Sequence, residues 1–183
     1  KYAVLPMKTV ILCCASLEKE VRLAMARKEI SYPLHILTDN NHDVPNRLRE
    51  AIQRELDGIR DADRALMAFG TCGGAMVGLR TGNFQLILPR VDDCLSLLMG
   101  SMEQRYAALQ GGFGIFLTES WLSSSRSMEN ELERIRRVYP PKRAETIIRL
   151  MYRNFDSLNV IDTGAYPVES ILPRTQALAE QLH

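Results

Sequence analysis

The chain has 183 residues, 46% of them hydrophobic and 25% charged, an ordinary globular composition that excludes intrinsic disorder and collagen-like repeats. Lys and Arg number 23 against 22 Asp and Glu, so the net charge of +1 creates no large field and nucleic acid is not an expected partner. No apolar run approaches the roughly 20 residues a membrane-spanning helix needs, and Lys1 to Pro6 is too short to open a secretory leader. A cytoplasmic, reduced, single α/β domain over residues 1–183 is therefore the expectation, with no membrane association.

The first element is Thr9 to Cys13, a continuous apolar and β-branched run of the kind buried on both faces in a parallel sheet. Ala15-Ser16 then opens a helix with Ser16 as its N-cap and Leu17, Val21, Ala24 and Met25 on the helical period. Tyr32 to Leu37 reads as a second strand. A polar turn from Thr38 to Asp43 leads to Pro45, which suits the first position of a long helix whose buried stripe is Leu48, Ile52 and Leu56. Ala65 to Phe69 is a third strand, Gly70 to Gly74 a tight turn, and Ala75 to Leu79 a short helix. Phe84 to Leu88 is a fourth strand ended by Pro89, and Asp92 or Asp93 caps the helix that carries Cys94. Gly114 to Leu117 is a fifth strand. Trp121 to Val138 is polar and largely helical, Ala144 to Asn154 is helical after Pro140-Pro141, Asn159 to Asp162 is a last strand and Pro167 to Leu182 a last helix. Strands alternating with helices predict a three-layer, Rossmann-like α/β sandwich with a mostly parallel sheet. Ligands in such folds bind outside the carboxyl ends of the strands.

Four cysteines are present, with no CxxC pair among them. In so long a chain they are buried hydrophobes, metal ligands or reactive thiols rather than a disulfide framework. Their positions favour a shared site. Cys14 lies just past the end of the first strand, His42 in the turn after the second, Cys72 in the Gly-rich turn after the third, and Cys94 opens the helix after the fourth. In a parallel sheet those four junctions share one edge, whereas inert core cysteines would fall inside strands or on buried helix faces. Three thiolates and an imidazole are a zinc set, and thiolates equally suit an iron–sulfur cluster or Cu(I). Cys13 alternates with Cys14 along the strand and so faces the core, and His35 lies within a strand; neither is expected to be a ligand. Gly70, Gly73 and Gly74 would let backbone approach a bound cofactor or anionic ligand closely, although the segment is not a GxGxxG and a plain tight turn uses the same residues. No Ser-His-Asp elbow, Walker motif or HExxH occurs.

The same segments carry a family resemblance. Cys14-Ala15-Ser16-Leu17-Glu18-Lys19-Glu20, His42 with Pro45 and Leu48, Phe69-Gly70-Thr71-Cys72-Gly73-Gly74, Ile87-Leu88-Pro89-Arg90 leading to Asp93-Cys94-Leu95, Gly114-Ile115-Phe116-Leu117-Thr118 with Trp121, and Ile161-Asp162-Thr163-Gly164 resemble the domain of unknown function numbered 1638. Cys14 matches the family's first cysteine and Cys13 is extra. His42 matches a family histidine, although Asn41 precedes it where the family has Leu. The resemblance implies a further strand beyond the last helix. It also implies a place beside corrinoid-dependent methyl transfer, with a corrinoid protein or methyltransferase as partner and corrinoid as a further cofactor.

The expected function is accordingly metal binding through Cys14, His42, Cys72 and Cys94 in one-carbon metabolism on a small-molecule ligand, with a zinc-dependent methyltransferase as the enzymatic form. An iron–sulfur redox or activation module uses the same ligands. A non-enzymatic chaperone that docks a corrinoid protein through the charged helix Met128 to Arg137 is the third reading.

Overall fold

A computed structural model of the chain describes residues 7–38, 44–109 and 112–182. The chain divides into two compact units, Lys1–Gln104 and Arg105–His183.

The first unit is built on a parallel sheet of four strands, β1 (Thr9–Cys14), β2 (Leu34–Leu37), β3 (Arg64–Ala68) and β4 (Gln85–Ile87), in the order β2-β1-β3-β4. Every residue of β1 is buried, as its unbroken apolar sequence requires of a central strand with neighbours on both edges. Helix α1 (Glu18–Arg27) follows β1, and α2 (Pro45–Gly58) follows β2. Pro45 takes the first turn of α2, where its missing N–H costs nothing, and Leu48, Ala51, Ile52 and Leu56 form the buried stripe. Helix α3 (Cys94–Leu98) and helix α4 (Met102–Ala108) follow β4. At the amino ends of the strands, the Asp63 carboxylate accepts from the Lys8 N–H at 2.6 Å and the Lys8 ammonium pairs with Asp61 at 2.7 Å. The fold is thus mixed α/β with a parallel sheet flanked by helices, in line with the Rossmann-like expectation.

The second unit holds a separate two-stranded parallel sheet, β5 (Gly114–Leu117) beside β6 (Ser157–Val160), with Gly114 opposite Ser157 and Leu117 opposite Val160. Parallel neighbours need a long crossover. Helices α5 (Glu119–Leu122), α6 (Met128–Val138) and α7 (Pro141–Tyr152) supply it, and α8 (Leu172–Leu182) follows. Leu117, Leu122, Leu132, Ile135, Ile148 and Leu178 are among the residues of its core. The Tyr166 hydroxyl donates to the Ile161 carbonyl.

Three expected elements differ. Ala15–Leu17 is a single 3₁₀ turn, and Ser16 caps no helix because its side chain turns inward to sulfur. Residues 75–79 form turns rather than a helix: Gly74 and Gly78 both have φ of +85°, outside the helical region. The polar stretch from Trp121 to Val138 splits into α5 and α6, each with its own side-chain cap, Thr118 and Ser127. Helix α4 was not anticipated.

Candidate functional site

The strand order reverses between β1 and β3. The chain leaves β1 for β2 on one side, then returns to the other side of β1 for β3. Such a switch point opens a crevice at the carboxyl ends of the strands, because the two outgoing connections diverge there. Cys14 is the last residue of β1, in register with Leu37, the last of β2. On the opposite edge Ala68 pairs with Cys13, and the chain then leaves β3 through Phe69-Gly70-Thr71 to Cys72. After β4, Cys94 is the first residue of α3.

Three of the four residues assigned from sequence are described, and they sense one another. The Cys72 thiol is pushed up from the ordinary 9.0 to about 11, first by burial and then by the charge of Cys14. The Cys94 thiol is pushed up to about 12 by burial, then by Cys14 and by Cys72. The Cys14 thiol is also raised by burial, while hydrogen bonds from Ser16 oppose the rise. None of the four cysteines is in a disulfide. Cys14 and Cys94 are buried and Cys72 is half-buried, and desolvation raises all three, so they hold their protons unless a cation replaces them. Among the described residues no group of three or more His, Cys, Asp or Glu side chains stands in metal-holding geometry. His42 lies outside the described residues.

The loops that deliver the thiols are stitched together. The N–H groups of Thr71 and Cys72 donate to the carbonyls of Val91 and Asp92 at 2.9 and 2.8 Å. The Thr71 hydroxyl donates to the same Asp92 carbonyl at 3.1 Å. From α2, Arg49 donates to the carbonyls of Gly74 and Ala75 at 3.2 and 3.3 Å. Asp93 caps α3 by accepting from the Ser96 N–H at 2.9 Å and the Ser96 hydroxyl at 3.0 Å. Cys72 itself has φ of +45°, and Gly73 and Gly74 follow at +67° and +85°. A left-handed conformation costs a residue with a Cβ about 1–2 kcal/mol. Strain of this kind persists only where the surroundings over-determine it, as these hydrogen bonds do, and it collects at functional sites.

The glycines assigned to a cofactor play different parts. A Cβ on Gly70 would lie 2.3 Å from the Asp93 backbone, so Gly70 lets the two loops touch. A Cβ on Gly73 would meet Pro45 at 3.3 Å, and Gly74 faces open space. Cys13 is fully buried and its thiol donates to the Cys14 carbonyl at 3.1 Å. His35 stands in β2 opposite Leu12, its Nδ1 3.9 Å from Glu55 in α2. Sequence reasoning read Ser16 as a helix cap and did not single out Arg49. The signal for Ser16 was a small polar residue directly after Cys14-Ala15 and before buried Leu17; for Arg49 it was a cation next to buried Leu48.

The charged helix α6 is largely engaged within its own unit. Arg134 pairs with Glu131 at 2.6 Å, Arg136 with Glu145 at 3.1 Å, and Arg174 of α8 with Glu129. Among the described residues no helix is long and apolar enough to cross a membrane.

A family model described as "Protein of unknown function (DUF1638)" matches residues 36–183, and the chain belongs to this family. The matched span contains Cys72, Cys94 and the Gly-rich turn, and it begins after Cys14 and Ser16. No curated protein and no solved structure matches the chain.

Proposed function

Taking the chain as a member of this family, we propose that its first unit binds a soft metal ion, zinc in the first instance, through Cys14, Cys72 and Cys94, with His42 as the fourth ligand. The observation that carries this reading is placement: Cys14 ends β1, Cys72 lies in the turn after β3 and Cys94 opens the helix after β4, so three thiols follow the carboxyl ends of three parallel strands. The donor set suits the ion, since thiolate and imidazole are the ligands zinc takes tetrahedrally. Proton-bearing thiols have no need to converge closely; an ion that displaces the three protons draws the sulfurs in and cancels their repulsion. Gly70 keeps the Cys72 and Cys94 loops in contact, and Arg49 holds the left-handed turn that aims Cys72.

When bound, zinc supplies a Lewis acid that ionises an incoming thiol. The role we assign is thiol methyl transfer in one-carbon metabolism, beside a corrinoid protein as donor. The family resemblance supports the corrinoid part, and the donor chemistry supports the metal part.

Metal analysis of protein purified without oxygen tests the reading. One equivalent of zinc in a colourless protein is the expected result. A brown protein with iron and acid-labile sulfide replaces zinc by an iron–sulfur cluster on the same thiols. Absence of stoichiometric metal after reconstitution overturns metal binding altogether.

A further inference from the structure

We propose that Ser16 is a positioning residue of this thiol site, its hydroxyl held 3.0 Å from Cys14 Sγ so that it donates a hydrogen bond to a metal-bound thiolate. The inference rests on the metal reading above and deepens it. Ser16 is buried, so solvent does not compete for its proton. It stands in the single 3₁₀ turn between β1 and α1, where neither of the flanking caps uses it: the residues that cap the turn and the helix, Cys14 and Leu17, make no side-chain cap bond. A serine there has no helix to serve. Its hydroxyl instead lies 3.0 Å from the Cys14 sulfur, and a hydrogen bond from Ser16 also opposes the rise of the Cys94 thiol.

A hydroxyl has one proton and can donate to one sulfur at a time. Cys14 and Cys94 are therefore made inequivalent when both are thiolates. The sulfur that receives the proton loses electron density, becomes a weaker nucleophile and is protected from alkylation. Its partner keeps its full donor strength toward the metal. In a site that activates a thiol for methyl transfer, this would direct the methyl group to the incoming thiol instead of to a ligand. Supporting hydrogen bonds of this kind hold ligands in place and tune the metal.

Cobalt(II) provides the probe, since sulfur-to-cobalt charge-transfer absorption reports the electron density on the ligating thiolates. The full chain is loaded with cobalt(II) under anaerobic conditions as wild type, Ser16→Ala and Ser16→Thr. In Ser16→Ala the charge-transfer band is expected to move to longer wavelength, because a thiolate without its hydrogen bond gives up an electron more easily, and cobalt affinity falls about 10- to 100-fold. Ser16→Thr keeps the hydroxyl and returns the band to the wild-type position. Should the alanine form fold poorly, Ser16→Gly removes the same hydroxyl without adding bulk and is expected to give the same shift. Stoichiometric cobalt with an unmoved band in Ser16→Ala or Ser16→Gly overturns the role of Ser16 alone. A wild-type chain that takes up no cobalt removes the metal reading and the role of Ser16 together.

Discussion

In Arg105–His183 the buried hydroxyls serve the backbone. Thr118 accepts from the Trp121 N–H, Ser127 accepts from the Asn130 N–H, and Thr175 donates to the Ile171 carbonyl. In Lys1–Gln104 the buried Ser16 turns to the Cys14 sulfur, and Cys14, Cys72 and Cys94 each follow the end of a strand. The second unit packs an apolar core that includes Leu122, Leu132, Ile135 and Leu178. The first unit holds soft donors that are buried or half-buried and raised in pKa. The difference is one of placement: the second unit's buried hydroxyls bond to nearby backbone, whereas the first unit's thiols stand at the switch point, where the proposed ion would bind.

The contrast can be broken from either side, and the largest effect is expected in the second unit. Leu132 is fully buried in its core, and Leu132→Ala should cost about 2–5 kcal/mol in denaturant unfolding. Zinc stoichiometry at low temperature should stay unchanged; a loss of zinc with Leu132→Ala would mean that the thiol site depends on the second unit's core.

Next come the thiols. Cys72→Ser and Cys94→Ser should each weaken zinc binding by more than about 100-fold, the upper range for loss of a mere supporting hydrogen bond, as read by competition with a chelator. Cys13→Ser should leave affinity nearly unchanged, since its thiol is committed to the Cys14 carbonyl. Equal losses at Cys13 and Cys14 would overturn the choice between them.

Matched caps give a sharper and smaller comparison. Asp93→Ala and Thr118→Ala each remove an N-cap and should each cost about 1 kcal/mol of stability. Only Asp93→Ala should also change zinc affinity, because Asp93 sits beside Cys94 and packs on Gly70. Equal silence toward zinc would make Asp93 a cap and nothing more.

The smallest effect at neutral pH is the titration of the thiols themselves. Their folded pKa values lie above the ordinary 9.0, at about 11 for Cys72 and about 12 for Cys94. The folded, metal-free chain therefore holds more protons than the unfolded chain between those limits. This contribution to stability is complete below about pH 9 and is lost as pH rises through 11 to 12. Denaturant midpoints of the metal-free chain should fall across that window, and zinc should abolish the fall. A midpoint that does not fall with pH would mean that the thiols are not buried as described.

Much of this was legible in the chain. Continuous apolar runs located β1, β3 and β5 within a residue or so, and Pro45 marked the start of α2. The places where the reading failed have local physical causes. A helix at residues 75–79 was excluded by positive φ at Gly74 and Gly78, which apolar periodicity does not report. Helix α4 is short and has no buried residue to betray it. Gly70 looked like a cofactor glycine because sequence cannot say that the Asp93 backbone would occupy the place of its Cβ.

The amino-acid sequence by itself determined the fold class and the set of junctions that hold Cys14, Cys72 and Cys94, because hydrophobic periodicity is local and each junction follows from the end of its own strand. Tertiary structure decided which strands share a sheet, placing β5 and β6 apart from the other four. It also decided that the switch point falls between β1 and β3, that Cys72 is held left-handed, and that Ser16 faces sulfur instead of a helix end. Those outcomes depend on contacts between residues far apart in the chain, where burial, close backbone approach and charge act only once the loops have met.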